Sequence, residues 1–249
     1  MQEKSALDRA IAMVRDLRER CTWDRVQTRD TLRPYLIEEV HELDHAISEG
    51  DPAAIRNEVA DLLLHLAWQL VLGEEEGAFT PDDVATALET KMRRRHPHLF
   101  DLGPQEPWEL LKRKEGGRGL LDGLPPTLPD LLQAFRMGER AATVGFDWPD
   151  TEGPIAKVRE ELAEVEEALG GSDPAAVDHE VGDLLFSAVN VARKAGIAPG
   201  PALGRANRRF RRRFEGVERL AAAQSIDLHQ TTLDEMERLW GEVKAAETG

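Results

Sequence analysis

A chain of 249 residues, 41% hydrophobic and with 47 acidic against 32 basic side chains for a net charge of −15, is long enough for one large or two small domains and can bury a core. That charge disfavours non-specific binding to nucleic acid or to an anionic membrane. No run of about 18 apolar residues is present to cross a bilayer, and the single Cys21 excludes an internal disulfide. Ala, Leu, Glu and Arg dominate while runs rich in Val, Ile and Thr are scarce, so an all-α fold is expected. The N-terminus MQEKSALDRA has no apolar leader, and a cytoplasmic protein is expected.

In chain order the first landmark is CTWDRVQT (21–28), followed by a helical segment beginning EEVHELDHAI at Glu38. Gly50-Asp51-Pro52 then reads as a tight turn: Asp as N-cap accepts a backbone N–H, and Pro at the first helical position gives up no needed donor. A second helix (NEVADLLLHLA) and a basic one (KMRRRH, 91–96) follow. Gly and Pro then recur densely from 103 to 129, which reads as a linker with a short helix predicted at WELLKRKE (108–115).

Beyond the linker the pattern returns. EELAEVEEALGGSDPAAVDHEVGDLLFSAV from Glu160 superposes without a gap on EEVHELDHAISEGDPAAIRNEVADLLLHLA from Glu38, an offset of 160 − 38 = 122. VGFDWPDT (144–151) sits over CTWDRVQT after a one-residue slip, and RFRRRF (209–214) sits over KMRRRH. The expected organisation is therefore a tandem duplication, with domains at 1–102 and 130–249 and a linker at 103–129.

At about 100° per residue, with Glu160 at zero, Glu164 falls near 40° and Glu161 near 100°, while Val158, Leu162, Val165 and Leu169 cover about 140–200°. The three acids share an arc beside the expected core stripe, and Glu166 and Glu167 point to solvent. On the next helix, Glu180 and Asp183 lie one turn apart at the edge of the face of Val177, Val181, Leu184 and Val191. Antiparallel neighbours joined by a tight turn bring the two sets together. Five converging carboxylates repel one another unless some are protonated or a cation sits among them, and oxygen-only ligands suit Mg²⁺, Mn²⁺ or Ca²⁺ and not Zn²⁺. On the basic helix Arg209 and Arg213 flank the apolar face of Leu203, Ala206, Phe210, Phe214 and Val217; Lys91 and Arg95 hold the same places in the first copy. Basic groups beside a metal–carboxylate cluster are what a polyphosphate needs.

These features resemble the MazG nucleoside triphosphate pyrophosphohydrolases of the all-α NTP pyrophosphatase superfamily. The matching stretches include WDRVQT, LRPYLIEEVHELDHAI, NEVADLLLHL, KMRRRHPHLF, RAATVGFDWPD, REELAEVEEAL, HEVGDLLFSAVNVARK and TLDEMERLWGEVK, and they run over nearly the whole chain. The resemblance implies tandem four-helix-type domains that dimerise, and Mg²⁺-dependent hydrolysis of (deoxy)nucleoside triphosphates to monophosphate and pyrophosphate as nucleotide-pool house-cleaning. It maps the metal ligands to Glu160, Glu161, Glu164, Glu180 and Asp183, and in the first copy to Glu38, Glu39, Glu42, Glu58 and Asp61. It maps the phosphate-binding bases to Arg209 and Arg213, and to Lys91 and Arg95, and a nucleotide-contacting tryptophan to Trp240. Glu161 is the expected acceptor of the attacking water's proton, and the second copy is expected to hold the main activity. Thr22 stands where relatives usually have Pro, and Arg209 where many second copies have Lys.

Two rival readings exist. Glu38-x-x-His41 and Glu42-x-x-His45 fit the spacing of a carboxylate-bridged di-metal oxidase, but the second copy has Ala163 and Glu167 in place of the histidines. A non-enzymatic helical adaptor is the other. His41, His45, His65 and His179 read as surface or capping residues, His96 and His98 as helix-end cations, and Trp23, Trp68, Trp148 and, apart from the resemblance, Trp240 as core or interface.

Overall fold

Caps written into the sequence set where each helix begins. Ser5, Thr28, Asp51 and Thr80 each accept a backbone N–H from the first turn. They open α1 (Ala6–Arg20), α2 (Arg29–Glu49), α3 (Pro52–Glu75) and α4 (Pro81–Arg95). The computed structural model describes residues 5–100, 102–105 and 119–247, so the helix expected at WELLKRKE lies outside the described residues. Further on come α5 (Asp130–Ala142), α6 (Glu152–Gly170), α7 (Pro174–Lys194), α8 (Pro199–Ala223) and α9 (Leu233–Ala246). Among the described residues every regular element is helical, the fold is all-α, and none of the helices is long and apolar enough to cross a membrane.

The chain divides into two compact units, Met1–Lys112 and Arg113–Gly249. In the first, α2 and α3 form an antiparallel hairpin and α1 packs along α3. The Gly50 end of α2 adopts φ +74°, a left-handed conformation that glycine takes without a Cβ clash. Asp51 Oδ1 then accepts from the Ala53 N–H at 2.9 Å, with Pro52 leading α3, as the turn chemistry requires. Ile11, Val14, Leu32, Ala67, Trp68 and Val71 form this unit's core. α4 has no buried residue and packs on the 3-10 turn Pro97–Leu99.

In the second unit α6 and α7 form the matching hairpin, started by Asp173 and Pro174. α5 packs on α7, and α8 pairs with α9 around Val217, Ala221 and Leu239. The GFDW loop is fastened to the end of α7: Asp147 pairs with Arg193 at 2.6 Å and Lys194 at 3.2 Å, and Lys194 also donates to the Trp148 carbonyl at 2.6 Å. Hydrogen bonding from Arg193 drives the Asp147 carboxyl down to about 2. Trp148 lies over Gly153, where any Cβ would meet the indole ring.

The packed face of each hairpin differs from the expected apolar stripe. On α6 the buried or half-buried positions are Gly153, Pro154, Lys157, Val158, Glu161, Val165 and Ala168, whereas Leu162 and Leu169 are 47% and 65% exposed. The packed arc is therefore turned by about 60° from the expected one, toward the acids, and centres on Glu161. α2 does the same with Leu32, Leu36, Glu39, Leu43 and Ala46, leaving Val40 and Ile47 exposed. Val181 on α7 is exposed as well, and on α8 only Val217 of the expected stripe is buried, with Leu203, Phe210 and Phe214 open. An amphipathic wheel identifies an apolar arc, but a helix with two partners divides that arc between them.

Candidate metal centre

Each hairpin gathers three carboxylates in its groove. In the first unit Glu39, Glu42 and Glu58 offer oxygens that all lie within 4.8 Å of one another; in the second Glu161, Glu164 and Glu180 do so. Opposite ligands of an Mg²⁺ ion stand about 4.2 Å apart, so small rotamer changes close either trio on a hard cation. The helical register explains the grouping: Glu39 and Glu42, or Glu161 and Glu164, are one turn apart on one helix, and the turn residues set Glu58 or Glu180 opposite.

The trios differ in electrostatics. Burial, then the charges of Asp61, Glu42, Glu58 and Glu38, push the Glu39 carboxyl up from its ordinary value. Burial, then Glu42 and Asp61, push Glu58 up as well. In the second trio Lys157 intervenes: its Nζ lies 2.5 Å from a Glu161 carboxylate oxygen and 3.0 Å from one of Glu160. Glu161, only 3% exposed, is held below the usual carboxylate range by that ammonium. Burial and then Glu161 and Glu180 raise Glu164. Lys157 itself is held well above its ordinary value by Glu161 and Glu160.

Of the five acids expected in each set, the structure thus draws three into each trio. Glu160 is turned to Lys157, and Asp183 lies 3.5 Å from the exposed ring of His179. Asp61 and Glu38 are close enough to the first trio to act on Glu39 by charge.

Of the expected phosphate-binding side chains, Arg213 is already paired. Arg213 donates to Glu247 at 2.8 Å, as does Arg212 at 3.0 Å, while Arg209 and Lys91 are exposed and Arg95 is half-buried. Trp240 stands 5.3 Å from Phe210 and helps to line an apolar groove of about 400 Å³ with Phe214, Leu228, Leu233 and Met236.

His41 and His45 are exposed, and both trios consist of carboxylates alone, which removes the E-x-x-H basis of the oxidase reading. His65, expected at the surface, is buried at 6% exposure. It follows Asp61 by one turn on the packed side of α3, where burial lowers its pKa and its Nδ1 has no hydrogen-bond partner among the described residues. His96 does cap the end of α4, its Nδ1 2.9 Å from the Met92 carbonyl. Trp68 is core, whereas Trp23 is half exposed with its ring edge toward Tyr35. Lys157 is the site residue that the sequence reading passed over; its spacing of three and four from Glu160 and Glu161 was the signal available.

Residues 27–100, containing the first trio, match the profile of the MazG nucleotide pyrophosphohydrolase domain. A Thermotoga maritima protein named nucleoside triphosphate pyrophosphohydrolase/pyrophosphatase MazG is 39% identical over 92% of this chain and 91% of its own length. The chain belongs to the MazG family. The Escherichia coli nucleoside triphosphate pyrophosphohydrolase is 38% identical over 97% of this MazG-family chain and 98% of the relative. Bacillus subtilis YabN is 40% identical over 95% of the chain, which spans 51% of that longer protein.

Proposed function

We propose that this MazG-family chain hydrolyses (deoxy)nucleoside triphosphates to the monophosphate and pyrophosphate, with Mg²⁺ (or Mn²⁺) as cofactor, in a cytoplasmic house-cleaning role. The observation that supports it most is the pairing of two oxygen-only trios with family membership along nearly the whole chain. Carboxylates crowded together, with Glu161 buried and Glu39, Glu58 and Glu180 half-buried, and several with raised pKa values, fit a hard divalent cation that relieves their repulsion. When bound, Mg²⁺ supplies charge neutralisation for the triphosphate and acidifies a coordinated water.

The protein's own groups do the rest. Glu161, Glu164 and Glu180, with Glu160 and Asp183, would hold the metal in the second unit; Glu38, Glu39, Glu42, Glu58 and Asp61 would do so in the first. Glu161 takes the proton of the attacking water. Arg209 and Arg213, and Lys91 and Arg95 in the first unit, hold phosphate oxygens, and Trp240 stacks on the base.

The units are tandem copies of one domain, and the second carries the main activity. The exposed apolar stripes of Val40 and Ile47, and of Leu162 and Leu169, are covered in a homodimer.

A panel of ordinary and damaged (deoxy)nucleoside triphosphates, assayed for pyrophosphate with and without Mg²⁺, tests the reading. Metal-dependent release of pyrophosphate and monophosphate is expected, and release of orthophosphate alone would overturn it.

A further inference from the structure

The two trios sit on hairpins whose sequences align without a gap, yet one position beside them differs in charge. The offset that sets Glu38 under Glu160 also sets Tyr35 under Lys157, since 157 − 122 = 35. Tyr35 is directed at the Trp23 ring, 6.2 Å away, and brings no charge to the first trio. Lys157 instead places an ammonium 2.5 Å from an oxygen of Glu161, whose side chain is 4% exposed.

A cation already paired with a buried carboxylate is a competitor for any second cation. Separating a buried ion pair is strongly unfavourable, because the carboxylate left behind has lost its solvation and its partner. A divalent ion entering while the ammonium remains meets its repulsion at short range. The first trio presents the reverse case, in which a divalent ion meets uncompensated carboxylates. A triphosphate changes the balance in the second unit, because its oxygens offer the ammonium a new anionic partner and bridge it to the metal.

We propose that Lys157 is a built-in counter-ion that closes the second trio to free divalent metal, so that metal enters there together with a triphosphate, whereas the first trio takes metal alone. The proposal rests on the reading of both trios as metal sites. Lys157 acts here as a positioning residue, through its hold on Glu161. It makes the second unit respond to the metal–triphosphate complex and not to metal concentration by itself.

The test is equilibrium dialysis of the full chain against Mn²⁺, with and without inorganic tripolyphosphate, which has no base to recognise. The first trio is silenced by Glu39→Gln, Glu42→Gln and Glu58→Gln, with helicity checked by circular dichroism. In this background Lys157→Met is expected to bind Mn²⁺ alone about tenfold more tightly than its parent, and Lys157→Arg to behave as the parent. Tripolyphosphate is expected to raise Mn²⁺ uptake about tenfold in the parent and to have little effect in Lys157→Met. A reciprocal variant in the otherwise unaltered chain, Tyr35→Lys at an exposed position, is expected to weaken Mn²⁺ binding at the first trio about tenfold. Unchanged or weaker Mn²⁺ binding by Lys157→Met, with Tyr35→Lys also without effect, overturns the inference. Absence of Mn²⁺ uptake by the second trio in every variant, with tripolyphosphate or without, overturns instead the reading of that trio as a metal site.

Discussion

The two hairpins share turn chemistry, helix register and the spacing of their acids, but they balance charge in opposite ways. In the first, Glu39, Glu42 and Glu58 face one another with raised pKa values and no basic side chain bonded to them among the described residues. In the second, Lys157 neutralises part of the same arrangement from within. The comparison teaches that identical ligand spacing does not make identical sites: one residue a turn away sets whether a trio is ready for a cation or already holds one.

The largest expected effect separates the units by activity. Glu164→Gln should lower Mg²⁺-dependent pyrophosphate release by at least about a hundredfold, while Glu42→Gln leaves most of it. Equal losses would remove the assignment of the main activity to the second unit. The next effect concerns the stripes exposed on both hairpins. Leu162→Glu buries a charge in the proposed dimer contact and should shift sedimentation toward the monomer, with a dissociation constant raised about a hundredfold. If mass stays unchanged, that face is not the contact.

Smaller effects test what supports each hairpin. Asp147→Asn breaks the link between the GFDW loop and α7 and should destabilise the second unit by about 1–3 kcal/mol in urea titration. Asp147 has a depressed folded pKa, so its stabilisation is present above the ordinary carboxylate value of 3.8 and is lost as pH falls from there through about 2. The Asn variant should lack that acid step. In the first unit the signs reverse. Glu39 and Glu58 have raised folded pKa values, so the stability associated with their protonated forms is present below 4.5 and is lost as pH rises through their folded values. Mg²⁺ offsets the repulsion that then remains, and should raise the melting temperature by a few degrees more at pH 7 than at pH 4. An equal shift at both pH values would argue against this trio as the binding place.

Much of this was legible in the sequence because it depends on local rules. Asp51-Pro52 and Asp173-Pro174 fix the turns, and the one-turn spacings of Glu39 with Glu42 and Glu161 with Glu164 place acids on one side of a helix. What could not be read was how each apolar arc is shared between partners. Leu162 and Leu169 look like core on a wheel, yet the packed face is centred on Glu161, since the wheel gives an arc and not the neighbour it meets. His65 shows the same limit: it is in line with the half-buried Glu58 and the exposed Asp61 on α3, and only the packing of α1 and α2 reveals that the line runs into the core at His65. The placement of Arg213 against Glu247 depends on how α8 meets α9, a long-range fact absent from either segment alone.

The fastening of the GFDW loop has a mechanical side. Asp147 and Trp148 tie the approach to α6 to Arg193 and Lys194 at the far end of α7, and Trp148 rests on Gly153 as α6 begins. The opposite end of the hairpin is shut by the Asp173-Pro174 turn. A pair of rods pinned at both ends is a spacer and not a hinge, so at the proposed metal site cations of different radius would be accommodated by carboxylate rotamers at Glu161, Glu164 and Glu180 rather than by spreading of the helices.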